Sequence, residues 1–285
     1  MNESYRPAVT PPPVNEEPAW WFIFRGNRLL VRIEDGSATL PYVVDYDEIG
    51  LPAVRSQYLG TLKGRHCFSV ELGRETQAPE GWEFHGLRRL FGLLPESLFW
   101  VAGAAVQIVD WDRSHQFCGR CGARTGDKPK ERAKECPECG LISYPRISPA
   151  IIVLVEREDR LLLARSHRHP EGLFSVLAGF VEPGETLEGA VAREIREEVG
   201  IEVRDIRYFG SQPWPFPNSL MIAFTCHYAS GDIVLEEEEM AEADWYKPDD
   251  LPAVPPKISI ARQLIDWFVA RHEPAASIEE WDFRE

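Results

Sequence analysis

The spacing of apolar residues along the chain predicts short strands in both halves and three helices. Apolar runs rich in β-branched and aromatic residues are typical of strands. They predict strands over residues 21–24, 29–33, 67–72, 150–155, 160–164, 206–210 and 220–228. Helical periodicity predicts helices over about residues 96–111, 186–199 and 257–270. In the second half, mixed strands with helices on both faces predict an α/β fold, an α/β/α sandwich.

The predicted helix over residues 186–199 has one apolar side and one acidic side. Thr186 is suited to cap its N-terminus, and Gly200 is suited to end it. Glu194, Glu197 and Glu198 stand at positions i, i+3 and i+4, so three carboxylates share one face within a turn. The apolar side consists of Leu187, Ala190, Val191, Ile195 and Val199.

Three carboxylates at this spacing repel one another unless cations lie between them. Hard divalent cations such as Mg²⁺ or Mn²⁺ prefer oxygen ligands and bridge to substrate phosphates. A loop from Gly179 to Glu185 runs into the helix, and its glycines allow backbone groups to approach a metal or phosphate closely. The alternative is an ordinary solvated acidic helix. The fixed spacing and the flanking glycines argue against that alternative.

Four of the six cysteines form two CxxC pairs that are 14 residues apart. The pairs are Cys118 with Cys121 and Cys136 with Cys139, each followed by a glycine. This spacing is typical of a zinc ribbon, in which four thiolates close the coordination shell and Zn²⁺ is structural. A nucleic-acid-binding role for the ribbon is the alternative.

Composition and charge narrow the class of protein. The chain has 285 residues, enough for two compact units and a small module, and its 44% hydrophobic content is normal for a globular protein. No apolar run has the length of a membrane span, and no signal-peptide pattern is present, so we expect a cytoplasmic protein without a membrane partner. The net charge of −15 argues against general nucleic-acid binding. Residues 113–170 carry 12 Lys or Arg against 7 Asp or Glu, which suits an anionic substrate or forms an ordinary solvated surface.

A proline-rich aromatic segment, SQPWPFPNS, occupies residues 211–219. Each of its three prolines fixes a φ angle and holds its neighbour extended. Because three backbone donors are missing, a central strand is excluded, and we predict a rigid loop. Gln212 is suited to bond an amide or a ribose, and the two aromatic rings are suited to stack on a nicotinamide or adenine. The alternative is that the segment serves packing or dimer contacts.

The stretch from Gly179 to Ile201 resembles the box of the Nudix hydrolases, which cleave nucleoside diphosphates linked to another group. It reads Gly179, five residues, Glu185, seven residues, and then REIREEVGI from Arg193 onward. The zinc ribbon before this box and SQPWPFPNS after it are similar to the NADH pyrophosphatase (NAD diphosphatase) branch. We therefore divide the chain into a disordered lead-in (1–18), an N-terminal α+β domain that is degenerate and Nudix-like (19–112), a zinc ribbon (113–144), the Nudix domain (145–273) and a tail (274–285).

The resemblance implies hydrolysis of NAD(H) to nicotinamide mononucleotide and AMP by a homodimer, and some members also remove NAD caps from RNA 5′ ends. It implies that Arg193 holds Glu185 and so orients the catalytic carboxylates, with Gly179 and Gly200 completing the motif. The implied Mg²⁺ or Mn²⁺ ligands are Glu194, Glu197 (ligand or base), Glu198, Glu239 and the backbone of Ala178. The implied substrate-binding residues are Tyr144, Phe180, Gln212, Trp214, Phe216, Ser219, Ala261, Glu131 and Arg89.

Two other functions are open. A Nudix enzyme for a different substrate, such as ADP-ribose, has no need of SQPWPFPNS, and a substrate panel separates it from the first hypothesis. A non-enzymatic zinc-ribbon module that binds RNA predicts a damaged box, whereas this box is intact. The sequence does not distinguish between free NADH and NAD-capped RNA as the physiological substrate.

Overall fold

The computed structural model describes residues 5–13 and 16–272. These residues form two compact units, which divide between Arg146 and Ile147. The α-helices of this part of the chain are α1 (Glu96–Ser114), α2 (Leu187–Val199) and α3 (Ile260–His272). Within the same residues, no helix is long and apolar enough to cross a membrane.

The first unit contains a mixed sheet that packs against α1. The strands run in the order β1-β6-β7-β2-β3-β4, with β5 paired to β2 and β8 paired to β3. Strands β2 and β7 are parallel, and the other pairs are antiparallel. The strands are β1 (Tyr5–Pro7), β2 (Ala19–Arg25), β3 (Arg28–Glu34), β4 (Ser37–Thr39), β5 (Tyr42–Val43), β6 (Ala53–Leu62), β7 (Arg65–Leu72) and β8 (Glu83–Gly86).

Strand β1 corrects the prediction of a disordered lead-in. Tyr5–Pro7 pairs antiparallel to β6, and the Tyr5 hydroxyl donates a hydrogen bond to the carbonyl oxygen of Leu59 at 2.7 Å. Burial raises the pKa of Tyr5 to about 12, so the phenol stays protonated as a donor. Residues 1–4 and 14–15 of the predicted lead-in lie outside the described residues, as does the predicted tail over residues 274–285.

The ribbon forms a small antiparallel sheet within the first unit, in the order β11-β10-β9. Its strands are β9 (Gly126–Asp127), β10 (Lys134–Glu135) and β11 (Ile142–Ser143). The buried ammonium group of Lys134 pairs with Asp112 of α1 at 2.8 Å and with Asp127 at 2.6 Å. Gln57 and Gln116 also donate hydrogen bonds to the Asp112 carboxylate, at 2.9 and 2.7 Å. Because breaking a buried, hydrogen-bonded ion pair is costly, this network fixes the ribbon on α1.

The second unit contains a mixed sheet in the order β15-β16-β12-β13-β17, with β14 paired to β12. Strands β12 and β16 are parallel, and the other pairs are antiparallel. The strands are β12 (Ser148–Arg157), β13 (Arg160–Ser166), β14 (Leu177–Phe180), β15 (Glu202–Trp214), β16 (Ser219–Ser230) and β17 (Met240–Tyr246).

Alternate residues of β12 pack against different helices. Ile151 and Val153 belong to the core that contains the apolar side of α2, whereas Ile152 and Leu154 belong to the core that contains α3. Successive strand residues point to opposite faces of a sheet, so this alternation places one helix on each face. The predicted α/β/α sandwich is therefore confirmed.

The proline-rich segment is a strand in its first part, which corrects the predicted loop. Strand β15 continues through Trp214, which pairs with Ser219 of β16, and a turn over residues 215–218 joins the two strands. Because β15 lies at the edge of the sheet, only one of its sides must donate to a neighbour. Pro213 is therefore tolerated within the strand, and the rigid loop is limited to the turn.

Candidate active site

Helix α2 begins and ends where the sequence predicts, and its apolar side is buried in the core. The Thr186 hydroxyl accepts a hydrogen bond from the Gly189 backbone N–H at 3.1 Å, which caps the N-terminus. Gly200 ends the helix with φ of 76°, a left-handed conformation that glycine adopts without a steric penalty. The buried residues are Ala190, Val191, Ile195 and Val199, which leaves the glutamates on the opposite side.

Arg193 organises the box by using all five of its N–H donors. Nε and Nη2 donate to the two carboxylate oxygens of Glu185 at 2.7 and 2.9 Å. Nη1 donates to Glu194 at 2.9 Å and to Glu197 at 3.0 Å. Nη2 also donates to the backbone carbonyl of Phe180 at 2.9 Å. The hydrogen bonds from Arg193 lower the pKa of Glu185 to about 2, so this carboxylate stays charged.

Gly179 allows the Glu194 carboxylate to lie directly against the backbone of β14. A Cβ atom at Gly179 would stand 2.0 Å from Cδ of Glu194 and 2.2 and 2.3 Å from its two oxygens. Such distances are well inside van der Waals contact, so any side chain at this position must displace Glu194. Glycine is required here because there is no space for a side chain. Backbone conformation is not the reason, since the φ angle of Gly179 is not positive.

Glu198 has the electrostatic surroundings of a cation ligand. Its Oε2 atom is buried and has no hydrogen-bond partner among the described residues. Burial, and then the charges of Glu194, Glu239 and Glu197, raise the pKa of Glu198 to about 8. A buried and unpaired carboxylate oxygen among like charges is costly, and a hard divalent cation with oxygen ligands removes that cost. The residues present therefore fit a divalent metal.

A cavity of about 360 Å³ opens beside these carboxylates within the second unit. The predicted site residues that line it are Ala178, Glu198, Gln212, Trp214, Glu239 and Ala261. Trp214 packs edge-on against Phe216, with ring centroids 5.2 Å apart, and Ser219 is buried opposite Trp214 in the strand register. Phe180 is 57% exposed on β14. Glu194, Glu197, Phe180, Phe216 and Ser219 belong to the same unit but do not line this cavity.

Gln212 uses both polar atoms of its side chain within the protein. Its Nε2 donates to the Ile258 carbonyl at 2.7 Å, and its Oε1 accepts from the Ile260 backbone N–H at 2.8 Å. Ile260 is the first residue of α3, where backbone donors lack partners within the helix. Gln212 therefore caps α3 and joins it to β15.

The remaining predicted substrate residues belong to the first unit. The Tyr144 hydroxyl donates to the Glu131 carboxylate at 2.9 Å, and Lys128 pairs with the same carboxylate at 3.1 Å. Hydrogen bonds from Lys128 and then Tyr144 lower the pKa of Glu131. Arg89 is exposed in a short 3₁₀ helix, Leu87–Leu90.

The four ribbon cysteines have the geometry of a metal centre. Their sulfur atoms all lie within 4.8 Å of one another. Cys118 and Cys139 are 3.6 Å apart, and Cys121 and Cys136 are 3.4 Å apart. Tetrahedral zinc with Zn–S bonds of about 2.3 Å separates its sulfurs by about 3.8 Å. The thiols are therefore grouped as a structural zinc requires.

Two basic residues of the cavity wall, Arg168 and His169, were not predicted as site residues. They follow β13 in a segment with no motif of its own. The only feature of the sequence that points to them is the excess of basic residues over 113–170, because both residues lie near the end of that range. Their place in the site depends on pairing between β13 and β17, which the local sequence does not specify.

Two glutamates line the cavity, and one of them has an unpaired, buried oxygen. An arginine holds two other glutamates of the same helix, and this arrangement suits a hydrolase that works with a carboxylate-bound divalent metal. Family models match three successive segments of the chain. Residues 18–111 match an NADH pyrophosphatase-like rudimentary NUDIX domain, residues 113–144 an NADH pyrophosphatase zinc ribbon domain, and residues 145–268 a NUDIX domain.

Two relatives of known name agree with these models. The NAD-capped RNA hydrolase NudC of Deinococcus radiodurans is 52% identical over 212 residues, 73% of this chain and 75% of the relative. A protein of the same name from Pseudomonas fluorescens is 44% identical over 257 residues, 89% of this chain and 91% of the relative. A solved NUDIX hydrolase from Nitrosomonas europaea is 24% identical with a TM-score of 0.45, covering 58% of this chain and 97% of its own. The chain belongs to the Nudix hydrolase family, in its NADH pyrophosphatase branch.

Proposed function

We propose that this enzyme hydrolyses the pyrophosphate bond of NAD(H) to nicotinamide mononucleotide and AMP. We propose that it also removes NAD caps from RNA 5′ ends by cleaving the same bond. The observation that carries the proposal is that Glu198, Glu239 and Trp214 line the same cavity. A dinucleotide joined by a pyrophosphate needs a cation site beside an aromatic surface for its ring. The NudC relatives, named as NAD-capped RNA hydrolases, support the same substrate class.

In this proposal Glu194, Glu197, Glu198, Glu239 and the Ala178 carbonyl hold Mg²⁺ or Mn²⁺. When bound, such ions neutralise phosphate charge and lower the pKa of a water. Arg193 bonds one oxygen of Glu194 and one of Glu197, and so fixes the direction of the second oxygen of each. One of the box carboxylates accepts the proton of the attacking water. Trp214 orients the substrate by stacking on one of its rings.

The proposal extends to a structural zinc and to a homodimer. Cys118, Cys121, Cys136 and Cys139 hold Zn²⁺ in closed coordination, which stabilises a segment with little core of its own. The second unit exposes the large apolar side chains of Phe180, Tyr208 and Val234, which favours burial against a second copy. Light scattering at micromolar concentration is expected to give about twice the chain mass of 32.4 kDa, and the monomer mass contradicts the dimer.

A substrate panel tests the main proposal. NADH, NAD⁺, ADP-ribose and NAD-capped RNA are incubated with Mg²⁺ or Mn²⁺, and products are separated by chromatography. We expect AMP and reduced nicotinamide mononucleotide from NADH, and AMP and nicotinamide mononucleotide from NAD⁺. We also expect NAD-capped RNA to be cleaved. A kcat/KM higher for ADP-ribose than for NADH, NAD⁺ and NAD-capped RNA overturns the proposal.

Glu197→Gln tests whether the box is the catalytic centre. The substitution preserves size and removes a charge, so kcat is expected to fall about 10²-fold or more. The matched control is Glu188→Gln, an exposed carboxylate in the first turn of the same helix, which should retain activity. Equal turnover of both variants at saturating metal shows that the chemistry lies elsewhere.

A further inference from the structure

The wall of the catalytic cavity includes one short basic segment. Residues 167–172, called here the 167–172 loop, follow β13 and contribute Arg168 and His169 to the cavity. No other lysine, arginine or histidine of the described residues lines it, whereas Glu198 and Glu239 do. Arg168 is exposed, so it stands where the cavity meets solvent.

The guanidinium of Arg168 differs from most others in the second unit because it is unpaired. Among the described residues it has no hydrogen-bond or ion-pair partner, and only its backbone N–H is bonded, to Ser166 Oγ at 3.2 Å. By contrast, Arg165, Arg196 and Arg271 each pair with a glutamate. Five N–H donors in a planar fork are therefore available at the cavity.

The 167–172 loop is fastened to the acidic run that supplies Glu239. The backbone N–H of His167 donates to the Glu239 carbonyl at 3.0 Å, and its Nε2 lies 3.1 Å from the Glu237 carbonyl oxygen. The His169 backbone N–H also returns to the Ser166 carbonyl at 2.9 Å. Arg168 is therefore held between two anchored residues, at a position set relative to a carboxylate of the site.

A pyrophosphate approaching this cavity meets carboxylates of its own sign. A planar guanidinium matches a phosphate bidentately and offsets that repulsion at the point of entry. We propose that Arg168, with His169 beside it, binds a phosphate oxyanion of the substrate at the cavity mouth. The inference rests on the proposed function and adds a recognition residue to it. The phosphate is either part of the NAD pyrophosphate or the first phosphodiester of a capped RNA.

Arg168→Ala, Arg168→Lys and a matched control test the inference. Arg207→Ala is the control, since Arg207 is an exposed arginine of β15 that does not line the cavity. Removing a charged hydrogen bond should lower kcat/KM for Arg168→Ala about tenfold or more, mainly through KM. Arg168→Lys should recover part of the loss, because the charge remains without the fork.

The choice of substrate identifies the phosphate. An equal loss on NADH and NAD-capped RNA assigns Arg168 to the pyrophosphate, whereas a loss on the RNA alone assigns it to the phosphodiester. In the second case the slope of log kcat/KM against log salt should shrink by about 0.7. Calorimetric binding of inorganic pyrophosphate by the same variants needs no turnover, so it still decides if wild type cleaves neither substrate. Arg168→Ala matching Arg207→Ala in both kinetics and pyrophosphate binding overturns the inference.

Discussion

Gln212→Met tests whether this side chain serves the fold or the substrate. Methionine preserves approximate length and volume while removing both polar atoms. The Ile260 N–H, which is buried, then loses its acceptor, whereas the Ile258 carbonyl is only partly buried and can bond water. One buried donor left unsatisfied costs about 1–3 kcal/mol. We take about 2 kcal/mol, which lowers the unfolding temperature of a unit of this size by about 4–8 °C.

Thermal unfolding and NADH kinetics on the same preparation measure the two roles separately. Gln263→Met is the control, because Gln263 is exposed on α3. An unchanged unfolding temperature together with a tenfold fall in kcat/KM refutes the capping argument and supports direct contact with substrate.

Three further changes probe the rest of the molecule. Gly179→Ala places a Cβ on the Glu194 carboxylate, and a misplaced catalytic group can cost about 10²-fold in kcat; turnover near wild type in steady-state assays contradicts this. Cys118→Ser should abolish binding of about one zinc per chain in elemental analysis, and a full zinc content in the variant disproves the site. Trp214→Ala should lower kcat/KM for NADH about 5- to 150-fold, mainly through KM, because stacking is lost; a collapse of kcat at constant KM speaks against a recognition role.

Helix α2 was predictable because its local signals agree. The helical spacing of its apolar residues, the N-terminal cap at Thr186 and the terminating Gly200 are all encoded within the helix or directly beside it. The course of β15 could not be predicted from its sequence. Its prolines argue against a strand locally, whereas Pro213 is tolerated because β15 lies at the edge of the sheet, which only the whole fold determines. Strand β14 was missed for a similar reason, since its four residues are extended by pairing with β12.

The site residues also fall into some that the local sequence predicts and others that it does not. The spacing of the box glutamates follows from the helix that carries them, so their common face could be derived. The partners of Gln212 lie 46 and 48 residues away, at a helix start that its own neighbours do not predict. Arg168 reaches the cavity because β13 pairs with β17, and that pairing is a property of the whole sheet.

The five hydrogen bonds of Arg193 leave this position without a tolerated replacement. Lysine has three donors and no planar fork, so it could not serve Glu185 twice and still reach Glu194, Glu197 and the Phe180 carbonyl. A conservative mutation here would release several groups at once instead of weakening one. One side chain therefore sets the positions of three carboxylates and one backbone carbonyl, so the order of the box depends on a single residue.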